Sequence, residues 1–380
     1  MPPRIPFNRA PITGRELGFL REAIERGELA GNGHFTRQCE VWLVEQLGVE
    51  RALLTHSCTA ALEIAAILAD LGPGDEVIMP SFTFVSTANA VALRGALPVF
   101  VDIRSDTLNL DETLVEAAIT PRTRAMFVVH YAGVCAEMDA LRVIADRHRL
   151  LLVEDAAQAL LSTYRGRRAG TLGDAACISF HVSKNLVSGE GGALLTNRLE
   201  LAERAEIIRE KGTNRSRFLR GQIDKYTWVD LGSSYSPSEL VAAFLSAQLE
   251  GAAVITAERR ATWNLYHTAF AELEAKGLVR RPIVPAHCQH NGHLYYLLLP
   301  GGGARDAAIA VLQEAGIDAP FHYLPLHASA AGRRFGRADG SLAVTDDLSS
   351  RLIRLPLWHG IADARERVIA CVHEVLTGKR

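Results

Sequence analysis

Long apolar runs are missing: nowhere in the 380 residues is there the stretch of ~20 apolar side chains that a bilayer-crossing helix needs. The opening MPPRIPFNRA has neither an apolar core nor a small-residue cleavage pattern, so no signal peptide is expected. The six cysteines (Cys39, Cys58, Cys135, Cys177, Cys288 and Cys371) are scattered and form no CxxC pair, which argues against a zinc ribbon or a disulfide framework. Charge of one sign is missing too. With 41 basic and 43 acidic side chains, a net charge of −2 gives no field to capture nucleic acid or an acidic membrane surface. The expectation is a reduced, cytoplasmic protein with no nucleic-acid or membrane partner. No GxxxxGK[ST] occurs, and the glycines around Gly31, Gly72 and Gly189 do not spell GxGxxG, so the usual fingerprints of an NTPase or a dinucleotide dehydrogenase are absent. Lysine is scarce, present only at 184, 211, 225, 276 and 379, with arginine supplying the rest of the basic residues.

What is present reads as a well-cored globular chain, 48% hydrophobic and 22% charged. At roughly 150 residues per domain the length suits two domains or one large one. Short, two-sided apolar runs at 52–55, 76–79, 98–101, 125–129, 150–153, 177–179 and 193–196 read as buried strands. Between them, 59–71, 85–94, 111–119 and 138–148 read as helices, and the alternation predicts a mostly parallel α/β sheet with ligands outside the carboxyl ends of its strands. After a helix at 199–211 come a polar loop, one long helical stretch at 237–270, a strand at 294–299 and a final α/β segment. A large domain over 1–250 and a smaller C-terminal one over 251–380 are expected, the division falling in the long helix.

Four segments carry chemistry. The strand LLLVEDAAQ ends in Glu154 and Asp155. An acid there could hold Mg²⁺, a lysine or a protonated ring nitrogen, or simply cap the next helix. CISFHVSKNLVSGEGG puts Lys184 after another buried strand, where partial burial would favour the neutral amine that attacks a carbonyl, unless it is a surface lysine in a loop. In LLTHSCTAALEIAAIL, Ser57 and Thr59 open a helix directly after a strand, which makes either a phosphate site or an ordinary cap. PSFTFVSTANA sets Phe82 and Phe84 just past a strand, where either could stack on a flat ring or fill the core. A phosphate cup, an aromatic lid, an acid and a lysine at one sheet edge together suit pyridoxal phosphate.

The order THSCTAAL, PGDEVIMPSFTFVSTANA, VEDAAQ and SFHVSKNLVSGEGG resembles the DegT/DnrJ/EryC1/StrS family of PLP-dependent sugar aminotransferases, and the likeness runs from IPFNRAPITGREL through FVVHYAG to FHYLPLH and RLPLW. The resemblance implies the PLP-dependent transferase fold type I, aspartate aminotransferase-like. It implies that Lys184 holds pyridoxal 5'-phosphate covalently and then moves the proton, and that Asp155 pairs with the ring nitrogen. It also implies Gln158 beside the phenolic oxygen, Phe84 on the ring face, Cys58, Thr59 and Ser179 at the phosphate, and His181 close by. A homodimer with active sites across its interface is expected. Many members have an Asn that reaches the partner's phosphate where this chain has Ser236.

For substrate, GNGHFTRQCEVWL, LLTHSCTAALE and the segment from EIIREKG to DLGSSY resemble the branch that aminates C4 of dTDP-4-keto-6-deoxyglucose. L-glutamate is the expected donor. Arg215, Arg217, Arg220 and Lys225 are basic enough to meet a nucleotide diphosphate, or to form a solvated loop, while Tyr323 and His327 resemble the family's segment near the sugar nucleotide. The crowded His287, Cys288, His290 and His293 suit no common zinc spacing, so no metal is expected. The rivals are an aminotransferase for another nucleotide keto sugar and a non-catalytic sugar-nucleotide-binding regulator. A regulator would tolerate Lys184→Ala.

Overall fold

The computed structural model describes residues 3–378, leaving Lys379 outside the described residues. Strands β1 (Arg51–Thr55), β2 (Glu76–Pro80), β3 (Leu97–Val101), β4 (Thr123–Val129) and β5 (Leu151–Asp155) form where the apolar runs predicted them. A three-stranded antiparallel patch follows, from β6 (Thr163–Tyr164), β7 (Arg167–Arg168) and, much later, β10 (Cys288–Gln289). The main sheet continues with β8 (Ala175–Ser179) and β9 (Gly192–Thr196) and takes a two-residue edge strand, β12 (Arg337–Ala338). Its order is β1-β9-β8-β5-β4-β2-β3-β12. Only β9 runs antiparallel to its neighbours, so all the other carboxyl ends open on one edge.

Successive side chains of a strand face opposite ways, and both faces of this sheet are covered. Ile78, Val99, Met126, Val128, Leu152, Ala176 and Ile178 pack into one core. Val77, Met79, Phe100, Ala125, Phe127, Val153, Ala175 and Cys177 pack into the other. That is why these strands read as unbroken apolar runs rather than alternating ones.

The stretch expected as one helix over 237–270 is two, Glu239–Glu250 and Ala252–Ala269, with a bend of 62° where they meet. Gly251 sits at the break, and a Cβ there would stand 3.0 Å from Cγ2 of Thr13, so the glycine lets the N-terminal segment lie against the bend. The rest of the chain builds its own core around the antiparallel pair β11 (Tyr295–Leu298) and β13 (Leu352–Leu355), under helices Ala252–Ala269, Gly302–Glu314 and Ala362–Thr377. A smaller cluster with Phe82, Tyr131, Leu294, Tyr296, Leu298 and Leu352 joins that core to the carboxyl edge of the main sheet. Among the described residues no single helix is long and apolar enough to cross a membrane, and all six cysteines are free thiols.

Candidate active site

A cavity of about 470 Å³ opens at the carboxyl ends of the parallel strands, and most of the expected residues line it. β1 runs straight into helix Cys58–Leu68, whose N-cap Ser57 accepts a 3.1 Å hydrogen bond from the N–H of Ala60. The first helical N–H groups, on Cys58 and Thr59, have no carbonyl one turn back to bind, so they offer donors at the positive helix end. Ser57, Cys58, Thr59 and Ser179 all face the cavity, and the Thr59 hydroxyl lies 2.8 Å from that of Ser86. Antiparallel β9 presses on this helix start through Gly192, where a Cβ would fall 2.4 Å from the backbone nitrogen of Cys58.

Period-2 alternation separates the two acids of β5. Glu154, fully buried, turns away and accepts from the N–H groups of Gly170, Leu172 and Gly173 at 2.6–2.8 Å, with His130 Nε2 at 2.8 Å. Asp155, 5% exposed, turns into the cavity, where Thr87 donates to its Oδ2 at 2.7 Å and the Ala157 N–H to its Oδ1 at 3.3 Å. Gln158 is fixed at both ends of its amide: Oε1 accepts from the Ala132 N–H at 2.8 Å and Nε2 donates to the Tyr323 hydroxyl at 3.1 Å. Phe82 is fully buried against Tyr131, whereas Phe84 is 56% exposed and lines the cavity, so Phe84 is the ring available for stacking.

Lys184 follows β8 in a turn held by its own N–H to the His181 carbonyl, 2.9 Å. Its side chain lines the cavity. Burial lowers its pKa from the ordinary lysine value, and Arg354 lowers it further, against the opposing pull of Cys58 and Asp155. A lysine poised towards its neutral form, a buried carboxylate, free helix N–H groups and an exposed aromatic face make a fitting receptacle for pyridoxal phosphate. His181 borders the cavity too, half-exposed, with Nδ1 2.8 Å from the Ser183 hydroxyl and Nε2 3.6 Å from Glu190.

Six expected residues lie elsewhere in the single chain. His327 is turned off the cavity: its Nδ1 is 2.7 Å from the Ser81 hydroxyl and its Nε2 3.3 Å from Asp346, so it fastens the C-terminal segment to the end of β2. Arg220 is paired with Glu206 at 2.9 Å and Arg217 with Glu203 at 2.8 Å, both acids on helix Leu199–Arg209, which keeps the basic loop against its own helix. Arg215 stands 3.8 Å from Glu210, and Lys225 is exposed. Ser236 donates to Glu210 at 2.8 Å and does not line the cavity of its own chain. Tyr323, by contrast, is in the wall.

The HCQHNGH side chains go to separate places. His287 meets Glu137 at 3.0 Å, His290 packs on Trp263 with ring centroids 4.1 Å apart, and His293 Nδ1 binds Oδ1 of Asn185 at 3.0 Å. His293 thereby lines the cavity, beside Phe7, His322 and Arg354, which sequence reasoning had not placed there. The available signal was that Phe7, His322 and Arg354 fall in the strings IPFNRAPITGREL, FHYLPLH and RLPLW. Burial and neighbouring cations hold both His293 and His322 well below the ordinary imidazole range, so both are neutral at pH 7.

Comparison with known proteins agrees with this geometry. Residues 11–373 match the model of the DegT/DnrJ/EryC1/StrS aminotransferase family. The chain is 33% identical over 383 residues to the spore coat polysaccharide biosynthesis protein SpsC of Bacillus subtilis, covering 98% of this chain and 97% of that one. It is 34% identical over 382 residues to GDP-perosamine synthase of Caulobacter vibrioides, covering 98% and 99%. Among solved structures, DesV of S. venezuelae in complex with a ketimine intermediate superposes with a TM-score of 0.90 at 33% identity, covering 100% of this chain and 99% of that one. The chain belongs to the DegT/DnrJ/EryC1/StrS aminotransferase family and is a pyridoxal-phosphate-dependent sugar aminotransferase of fold type I.

Proposed function

We propose that the enzyme moves an amino group from L-glutamate to the C4 ketone of dTDP-4-keto-6-deoxyglucose, giving dTDP-4-amino-4,6-dideoxygalactose for a cell-surface polysaccharide. The observation that carries the transfer chemistry is Lys184 and Asp155 facing one cavity beside the start of helix Cys58–Leu68. The dTDP acceptor is supported by the sequence strings around GNGHFTRQCEVWL and REKGTNRSRFLRGQ.

Pyridoxal phosphate, when bound, supplies an aldehyde that condenses with amines and a protonated ring that takes up the electron pair left behind when a proton is removed. Lys184 would hold it and, released by the incoming donor amine, carry that proton from one carbon to the next; its lowered pKa leaves a larger free-base fraction for both tasks. Asp155 would keep the ring nitrogen protonated, its own carboxylate oriented by Thr87. The Cys58 and Thr59 N–H groups and Ser179 would receive the phosphate, Phe84 would cover one ring face, and Gln158, braced by Ala132 and Tyr323, would sit at the phenolic oxygen.

The same reading makes the enzyme a homodimer. Leu219, Tyr226, Trp228, Val229 and Leu231 are all about half exposed or more, an apolar patch seldom left to water. A second copy seated there would bring Ser236, Arg215, Arg220 and Lys225 towards its partner's cavity, where they would meet phosphate groups.

A second acceptor class is favoured by one observation, the 34% identity to GDP-perosamine synthase: a GDP-linked keto sugar in place of the dTDP-linked one. The test is amino transfer from L-glutamate to a panel of dTDP-, UDP- and GDP-linked 4-keto-6-deoxy sugars, with products identified by mass and NMR. Turnover of the dTDP sugar to the galacto-configured amine supports the proposal. Turnover of the GDP sugar alone assigns the second reading.

A further inference from the structure

We propose that Arg354 is the carboxylate-binding residue for the amino donor, its guanidinium holding the α-carboxylate of an L-amino acid beside Lys184. This rests on the reading of the cavity as the amino-transfer site and adds to it the group that selects the donor.

Arg354 lies on β13, remote in sequence from every motif of the cofactor site, yet lines the same cavity. One nitrogen, Nη2, donates to the Phe321 carbonyl at 2.9 Å, and the guanidinium carbon lies 4.4 Å from the Phe7 ring centroid, so two contacts fix the plane of the fork. Nε is buried and has no hydrogen-bond partner among the described residues. Among the described residues no acid pairs with it: the groups that favour its cationic form are the phenols of Tyr131 and Tyr323. A partly buried guanidinium without a counter-anion is costly, and the planar fork is shaped for a carboxylate.

The other basic side chains of the cavity do not compete for this task. Lys184 is committed to the cofactor, His181 lies beside Glu190, and His293 and His322 are held neutral by burial and by the charge of Arg354 itself. Arg354 and Lys184 line the same cavity, and the arginine's charge lowers the lysine's pKa. In an amino acid the carboxylate is one bond from the carbon that reacts. In a nucleotide 4-keto sugar the phosphates hang from C1, across the ring from the ketone. A cation next to the reacting amine therefore suits the donor and not the diphosphate.

The experiment separates the two half-reactions in the holoenzyme. Loss of the visible band of lysine-bound cofactor is followed at graded L-glutamate, and return of the band is followed when pyridoxamine-loaded enzyme meets the nucleotide keto sugar. For Arg354→Gln, the second-order constant with L-glutamate is expected to fall about 10- to 100-fold while the keto-sugar half changes by less than about threefold. Arg354→Lys, which keeps the charge without the fork, is expected to recover part of the loss. A readout free of turnover is binding of glutarate, which has no amine, to cofactor-free protein: calorimetry should detect it in the wild type and lose it in Arg354→Gln. Equal slowing of both halves, slowing of the keto-sugar half alone, an unchanged glutamate half, or no difference in glutarate binding between wild type and variant would each overturn the assignment. A wild-type band that no amino acid bleaches would instead overturn the amino-transfer reading beneath it.

Discussion

Thr87 donates a 2.7 Å hydrogen bond to Oδ2 of Asp155, and the Thr83 hydroxyl stands 3.0 Å behind it. A residue in the first turn of helix Val85–Ala92, which follows β2, thus orients the carboxylate at the β5 end. Thr87→Val keeps the shape and removes the donor, leaving a buried carboxylate oxygen short of a partner. Cofactor-free protein is expected to lose about 1.5–3 kcal/mol in urea unfolding. Thr87→Ser should restore most of it, and a Val variant as stable as the wild type would show that this bond does not hold Asp155.

Adjacent acids on β5 should fail in opposite ways. Glu154→Ala leaves the Gly170, Leu172 and Gly173 N–H groups without an acceptor and is expected to cost about 3–5 kcal/mol of stability. Asp155→Ala should leave the cofactor-free fold nearly intact and abolish tight pyridoxal phosphate binding. Denaturant midpoints set beside cofactor titration check both, and a reversed pattern would contradict the assignment of the two faces.

Close approach at the helix start gives a third test. Gly192→Ala would place a methyl 2.4–2.6 Å from the backbone of Ser57 and Cys58, so the strand and the helix start must move apart. Overpacking of this kind costs about 1–3 kcal/mol. The displaced Cys58 and Thr59 N–H groups should also bind inorganic phosphate and cofactor more weakly, read by calorimetry. Unchanged phosphate affinity would mean that the helix start is not the anion site.

Acid stability is tied to Glu76. Burial alone would raise its pKa, but hydrogen bonds from Arg122 (2.6 Å), Thr120 (2.7 Å) and Arg337 (3.3 Å) outweigh that and hold it at about 2. A carboxyl lowered in the folded state stabilises fully above its unfolded pKa, and that stability is lost as pH falls through the folded value. Wild-type stability is therefore expected to drop between roughly pH 4.5 and 2 more steeply than that of Glu76→Gln. Parallel curves for the two proteins in urea unfolding across that window would remove Glu76 as the cause.

Much of this was legible in the sequence because it is local. All seven long strands of the sheet announce themselves as two-sided apolar runs; Asp155 ends its strand and the Ser57 cap and Lys184 sit two and five residues beyond theirs, where chain direction alone brings them to one edge. The bend at Gly251 escaped because the flanking helices keep apolar character on both sides of it. Arg354, His293 and His322 reach the cavity only because the C-terminal core docks on the sheet edge through Phe82, Tyr131 and Leu294, and no spacing rule foretells that contact. His327 shows the converse: a residue in the right segment, four positions after Tyr323, whose imidazole is taken up by Ser81. The basic loop misled for a similar reason, since Glu203 and Glu206, each 14 residues upstream of its partner, engage Arg217 and Arg220.

The most direct measurement is the visible spectrum of purified enzyme loaded with pyridoxal phosphate, recorded before and after L-glutamate and again after dTDP-4-keto-6-deoxyglucose, with Lys184→Ala alongside. The account predicts a yellow band in the wild type that glutamate bleaches and the keto sugar restores, and no lysine-bound band in the variant. A band that persists in Lys184→Ala, or a wild type that glutamate leaves unchanged, would contradict it.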